Sequence, residues 1–474
     1  MSGAQAPWRG RRLHFIGVGG AGLSAYARAA GELGAQLSGS DSASSPYLER
    51  LAADGVLQAV VGHRAGNIPR GKGVEVIYSS AVPEDNVERQ AARRRGLRER
   101  PRAELLAELS ALARTIAVAG THGKTTTAAM IVHALRGAGL EPGWLIGGTP
   151  GGGLPNAGWG AGDWLVVEAD ESDRSMLSLE VEVAVLTGAE LDHHATFASL
   201  AEVREAFRSF LARARAAIVV RDEPELLALA GAARPQQASR RDAAPAEQAG
   251  FAPARAGHAP ALVPYGSGEF ALTAGGSRFC WRGQEVRLAV PGAHNVANAT
   301  AALEAARLAG AEPARAAAAL SRFGGAGRRF ELLGESERGA RVYDDYAHHP
   351  TEIAATVQAA RTLEPQRLIA VFQPHLYSRT ALLAREFGSA LAGADIVCAL
   401  DVYPAREHAS DYPGVSGLMV AEATADAAAG RPVYWLPTFA DAEPVLRGLL
   451  EGGDVCLVMG AGSVDQLARR LVAR

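Results

Sequence analysis

Eight residues, Gly120 to Thr127, read GTHGKTTT and stand between an apolar run and a stretch of helical composition. Glycines leave successive backbone N–H groups free to face a phosphate, and a following helix adds its positive N-terminal end. In such a loop a lysine reaches the terminal phosphates and the next hydroxyl ligates Mg²⁺. Gly120, Thr121, His122, Gly123, Lys124, Thr125 and Thr126 are therefore candidate ATP-binding residues, with Lys124 and Thr125 in those two roles. The loop is shorter at its start than the full GxxxxGK[ST] pattern, because Val118 stands where the first glycine belongs. Lysine occurs only at Lys72 and Lys124, every other strongly basic side chain being arginine, so Lys124 sits where arginine does not serve.

Four further groups carry chemistry. Glu168 ends an apolar run and precedes Ala169-Asp170-Glu171-Ser172-Asp173, and a second run, Val183 to Thr187, leads to Glu190, Asp192, His193 and His194. Glu168 and His193 are candidates for holding Mg²⁺ against ATP, and a hard ion favours the carboxylate. Gly17 to Ser24 reads GVGGAGLS, with Asp41 at the end of the next apolar segment, the place where a dinucleotide fold carries its ribose-binding acid. Those residues suit NAD, the diphosphate of another nucleotide, or tight packing alone. Asp344 to Pro350 (DDYAHHP) gathers acids, a phenol and two imidazoles, and also suits a helix start at Pro350. In Gln373 to Arg379 (QPHLYSR), Arg379 is either a carboxylate clamp or a surface arginine.

Strand-like runs followed by glycine and then by helix-like stretches must position these groups. Leu13 to Val18, Thr115 to Ala119 and Arg367 to Phe372 each open such a series, and Val455 to Gly460 closes the last. Alternating strands and helices predict parallel α/β sheets in three successive units. The expected domains are 1–113, 114–325 and 326–474, separated by a connecting helix over 101–113 and by the glycine cluster at 324–327. Residues 228–261, rich in Ala, Pro, Gln and Arg, fit neither period and read as a mobile surface insertion.

A chain of 474 residues, 48% hydrophobic, has ample core for several domains, and a net charge of −3 gives no reason to expect nucleic acid or an anionic membrane as partner. The densest basic run, Arg93 to Arg102, is interleaved with acids and reads as a solvated helix face and linker. Three scattered cysteines form neither a disulfide framework nor a zinc pattern and suit a reducing compartment. No apolar run is long enough to cross a membrane, and the N-terminus lacks a signal-peptide pattern, so a soluble cytoplasmic protein is expected.

Together these segments resemble the Mur ligase family, which builds the peptide of bacterial peptidoglycan. GVGGAGLS, SGSD (38–41), SSAVP (79–83), PRAELLAEL (101–109), AGTHGKTTT, EADESD (168–173), GAHNVANATAA (292–302), GRRFE (327–331), DDYAHHPTE and FQPHLYSRT carry the likeness in the family's order, from His14 to Gly462. The resemblance implies a Rossmann-like UDP-binding domain, a central P-loop ATPase-like α/β domain and a Rossmann-like C-terminal domain that binds an amino acid. It also implies a cytoplasmic enzyme of cell-wall synthesis, and so of cell shape and division.

Among the family's members, the likeness is greatest to the activity that adds L-alanine to UDP-N-acetylmuramate through an acyl phosphate. Gly17, Gly19, Gly20, Gly22, Ser24, Asp41, Ser79 and Ser80 would hold the UDP-sugar. Lys124 would bind the γ-phosphate, while Thr125, Glu168 and His193 would hold two Mg²⁺ ions, a place Mn²⁺ can also take. Asn295 would read adenine with Asn298 in support, and Arg329 and Asp345 would act on ATP. Tyr346, His348 and Arg379 would line the alanine pocket. Gly188 and Leu376 depart from the family pattern, where Asn and Arg are usual, and so do His194 and Ala195. Several relatives bridge their ions with a carbamylated lysine, but no lysine follows Lys124 here, so another group must complete the second ion's site.

Three other activities compete. A recycling ligase would join a preformed tripeptide to the same nucleotide sugar, but its glycine-loop and amino-acid motifs differ from these. An NAD-dependent oxidoreductase would leave GTHGKTTT, EADESD and HNVAN without a role. A P-loop regulatory ATPase would hydrolyse ATP without an acceptor.

Overall fold

The computed structural model describes residues 6–193, 196–234 and 259–472. The chain divides into two compact units, residues 1–266 with 298–319, and residues 267–297 with 320–474.

The first unit holds two sheets. One has five strands in the order Val60–Val61, Gln36–Asp41, Arg12–Ile16, Val74–Tyr78 and Arg98–Pro101, all parallel. The order reverses on either side of Arg12–Ile16, which makes the end of that strand a topological switch point, where open α/β sheets bind ligands. The helix Ala21–Glu32 starts there, directly after the glycine loop. The second sheet has seven strands, with Arg114–Ala119 between Val181–Leu186 and Trp164–Glu168, and only the edge strand Ala157–Gly158 is antiparallel. Its central strands are largely apolar and, apart from Arg114 and Glu182, buried, as parallel strands covered on both faces require. The helix Lys124–Gly137 is buried nearly all round, so its lack of an amphipathic stripe reflects a core position.

In the second unit a six-stranded sheet runs Glu331–Glu335, Arg341–Asp345, Val455–Met459, Leu368–Phe372, Ile396–Ala399 and Val433–Trp435, parallel except for its first strand. An antiparallel three-stranded meander, Phe270–Thr273, Gly276–Trp281 and Gln284–Leu288, belongs to the same unit. The sequence reading missed it, because its alternating polar residues lack the continuous apolar runs used to find strands. The α/β class and the repeated parallel sheets are as expected.

Three expectations change. Residues 228–233 belong to the helix Pro224–Ala233 and Ala261 begins the strand Ala261–Tyr265, while 235–258, the bulk of the expected insertion, lie outside the described residues. Asp344 and Asp345, which the sequence places after a strand-like run over Ala340 to Tyr343, are the last residues of the strand Arg341–Asp345. The basic run is solvated only in part, since Arg100 is buried and its Nη1 donates to Glu75 Oε2 at 2.9 Å and Glu108 Oε2 at 3.0 Å. A guanidinium with five donors can hold several carboxylates at once, and the acids that supply them come from sequence-distant elements.

Candidate active site

Parallel register sets the geometry of the first unit's site. Val118 pairs with Glu168, and Ala119 pairs with Leu186. The loops that follow these three strands therefore leave one edge of the sheet, the edge where such sheets bind ligands. Gly120 (φ +132°) and Gly123 (φ +81°) make the turn between strand and helix in conformations that side-chain-bearing residues rarely adopt. Space demands glycine as well, because a Cβ on Gly120 would lie 2.3 Å from Thr187 Oγ1, and one on Gly123 would lie 2.6 Å from Asn298 Oδ1.

The polar groups converge on the loop. Lys124 Nζ donates to Gly120 O at 2.6 Å, Thr121 O at 3.2 Å and Glu171 Oε1 at 2.8 Å. Burial opposes its charge, but Glu171, Glu168 and Asp170 outweigh that and raise its pKa, so it stays an ammonium. Thr125 Oγ1 donates to Glu168 Oε1 at 2.8 Å, and the backbone N–H of Gly147 donates to Glu168 Oε2 at 2.7 Å. That hydroxyl and carboxylate form a hard oxygen donor set at the first turn of a helix, which suits Mg²⁺. His193, held at φ +54° with its N–H on Asp192 Oδ1, brings Nε2 to 3.4 Å from Glu171 Oε1. Positive φ in a histidine is strain of the kind that persists at functional sites.

Sequence reasoning named Glu171 within its motif but gave it no role, although it joins Lys124 to His193. It also read Arg102 as part of a solvated basic run, whereas this residue ion-pairs with Asp170 at 2.9 Å and Asp173 at 2.6 Å. Burial alone would raise Asp170, yet Arg102, the bonds from Ser172 and Lys124 hold its carboxyl down at about 2. The same guanidinium lies where a Cβ on Gly22 would fall, 2.6 Å from Arg102 Nη1. It thus ties the glycine loop of the first sheet to the acidic loop of the second. A second tie runs from Tyr47, whose hydroxyl donates to Gly147 O at 3.0 Å, the residue whose N–H holds Glu168.

Around the first glycine loop, Asp41 Oδ2 accepts from Gly19 N at 2.7 Å, and Ser45 Oγ donates to Gly19 O at 2.8 Å. Asp41 therefore shapes the loop backbone. Gly17 (φ +81°) approaches Val82 and Ser79 closely, since a Cβ there would lie 2.9 Å from Val82. Ser24 receives the amide of Asn156 at 3.0 Å, and Ser80 is exposed. Asn298 Oδ1 accepts from Thr127 Oγ1 at 3.3 Å, so it lies against the phosphate loop.

In the second unit, Asn295 Nδ2 donates to Pro291 O at 2.7 Å. Asp345 is buried and accepts from the backbone N–H groups of Phe330 and Ala347, both at 2.7 Å. Arg328 and Arg329 each place their guanidinium 5.1 Å from the Tyr346 ring centroid, and that ring meets His348 edge-on at 5.3 Å. His348 faces His375 at 6.0 Å, and Arg379 Nη1 lies 3.3 Å from His375 Nδ1, which must accept because arginine cannot. Leu376, at φ +71°, takes a strained backbone to start the helix Tyr377–Leu391, which carries Arg379.

Burial raises Asp345 to about 6, and Arg329 with the two N–H bonds offsets this only in part. Because the unfolded chain titrates near 3.9, the folded chain holds this proton more tightly. The stability it contributes is complete below about pH 4 and is lost as pH rises through about 6. A carboxyl ¹³C titration of Asp345 is expected to show a midpoint near 6. A midpoint at 4 or below would refute the desolvated environment.

Fold and site together define a phosphate-loop α/β protein in which a hydroxyl of the loop's first helical turn, Thr125 Oγ1, donates to the carboxylate of Glu168. The chain belongs to the Mur ligase family. Residues 12–114 match its catalytic domain, 118–306 its middle domain and 328–462 its glutamate ligase domain. The chain is 43% identical to the UDP-N-acetylmuramate–L-alanine ligase of Rubrobacter xylanophilus, over 98% of this chain and 100% of that one. It is 41% identical to the Nocardia farcinica enzyme of the same name, over 98% and 94%. The solved UDP-N-acetylmuramate–alanine ligase of Thermotoga maritima superposes with a TM-score of 0.77 at 26% identity, covering 97% of this chain and 98% of that one.

Proposed function

We propose that this chain is a cytoplasmic ligase of peptidoglycan synthesis that joins L-alanine to UDP-N-acetylmuramate at the expense of ATP. One observation carries the reading: Lys124, Thr125 and Glu168 meet at one sheet edge in a chain that matches alanine-adding ligases along its whole length. Membrane insertion plays no part in it, and among the described residues no helix is long and apolar enough to cross a membrane.

Two steps follow from the chemistry. A carboxylate oxygen of the lactyl group forms a bond to the γ-phosphorus while the bridging oxygen leaves with ADP. The amine of L-alanine then attacks the acyl carbon, phosphate departs, and the nitrogen loses a proton as the amide forms. Neither step needs a covalent enzyme nucleophile, so alignment and charge neutralisation are the whole task. Lys124 binds and neutralises the γ-phosphate. Thr125, Glu168 and His193 would hold Mg²⁺, which would supply charge stabilisation when bound.

The reading gives Gly17 to Ser24, Asp41, Ser79 and Ser80 to the UDP-sugar, and Asn295, Asn298, Arg329 and Asp345 to ATP. Tyr346, His348 and Arg379 take the amino acid. The three domains 1–113, 114–325 and 326–474 are part of the same reading.

Phosphate release decides the matter. With ATP, Mg²⁺ and UDP-N-acetylmuramate present, release should require L-alanine and be weaker with glycine or L-serine. Release that ignores the amino acid, or that prefers a tripeptide, would overturn the assignment.

A further inference from the structure

Lys124 spends all three of its ammonium protons inside the protein, on Gly120 O, Thr121 O and Glu171 Oε1. To bind a terminal phosphate it must give up at least one of them. Glu171 is the partner whose fate then matters. The residue is 2% exposed, and its second oxygen, Oε2, is buried with no hydrogen-bond partner among the described residues. A buried carboxylate that loses its only close cation is strongly destabilising unless another takes the place.

The replacement is legible in the geometry. Glu171 Oε1 lies 3.4 Å from His193 Nε2. Adjacent ligands of an octahedral Mg²⁺ with bonds of about 2.0–2.1 Å are roughly 3 Å apart. The two donor atoms thus already stand near the spacing of neighbouring corners around one ion. Among the described residues the basic side chains that pair with Glu171 are Lys124 and His193, while Arg102 is engaged by Asp170 and Asp173.

We propose that Glu171 is a ligand of the second divalent cation, together with His193, and that it exchanges Lys124 for that ion when ATP arrives. This rests on the ATP and Mg²⁺ reading above. The exchange keeps the buried charge balanced: Lys124 moves its positive charge to the phosphate, and the incoming ion restores it at Glu171. It also makes occupation of the second site conditional on nucleotide.

Counting ions tests this without turnover. Free Mn²⁺ is followed by electron paramagnetic resonance as the full-length protein is titrated, with and without a saturating non-hydrolysable ATP analogue. The wild-type chain should take up two ions with the analogue, and Glu171→Gln should take up one. Glu171→Asp keeps a carboxylate but shortens its reach, so the second ion should bind at least tenfold more weakly. Should the Gln variant fail to fold, judged by its melting transition, the Asp variant carries the test.

A Gln variant that still binds two ions at unchanged affinity overturns the proposal and leaves Glu171 as a resting anchor for Lys124. An unchanged second-ion affinity in the Asp variant does the same. A wild-type chain that binds a single ion removes the second site, and the proposal with it. If it binds none, the Mg²⁺ reading itself fails.

Discussion

Lys124→Arg is expected to lower kcat by roughly 10³-fold, the scale of losing one preorganised charge-stabilising donor. Charge is preserved in this variant, so the loss would come from shape. The ammonium sits among Gly120 O, Thr121 O and Glu171 Oε1 at 2.6, 3.2 and 2.8 Å. A planar guanidinium carries its donors on a wide fork and cannot enter a three-acceptor cup built for one nitrogen. Neighbouring carboxylates also keep the lysine protonated at any working pH, so titration offers no second explanation. Measuring kcat and KM for ATP separates the effects. A fall in kcat with little change in KM is the signature of a group whose contact strengthens in the transition state. A near-normal rate would refute the γ-phosphate role.

Glu168→Gln should be nearly as damaging, with kcat down by about 10² to 10³-fold, equivalent to several kcal/mol of metal-ion charge stabilisation. The Mg²⁺ concentration for half-maximal rate should rise as well. Both carboxylate oxygens accept hydrogen bonds, one from Thr125 Oγ1 and one from Gly147 N. An amide has one acceptor, so keeping it on Gly147 N turns its NH₂ to Thr125 Oγ1, whose hydroxyl must then accept instead of donate. The variant therefore loses the charge that attracts a hard cation and redirects the threonine hydroxyl beside it. Unchanged Mg²⁺ dependence would show that the cation is held elsewhere. This outcome differs from that expected of Glu171→Gln, which removes one of two ions and leaves the Thr125–Glu168 site intact.

Much of this is legible in the amino-acid sequence alone. The phosphate loop is a local object: glycine conformations, the lysine's reach and the helix start all lie within eight consecutive residues. Parallel α/β sheets were equally plain, because strands buried on both faces must be continuous apolar runs. The helices Lys124–Gly137 and Arg102–Ala111 fall where composition placed them. The antiparallel meander was not seen, since short alternating strands resemble loops in composition.

What only the tertiary structure decided is which charged groups face each other. Asn298 meets the phosphate loop from 171 residues away at Thr127, and Glu171 meets Lys124 across 47. Residue types cannot reveal such pairings, because a carboxylate in EADESD is equally suited to solvent, arginine or metal. Parallel register brought three strand ends to one edge and so assigned the partners. By itself the sequence pointed to a nucleotide phosphate beside a cation, since the loop that carries this expectation is built of contiguous residues. The packing determined that Arg102 holds the acidic loop, and that Glu171 stands between the lysine and His193. Those contacts depend on burial and distance, which arise only when remote segments share one low-dielectric interior.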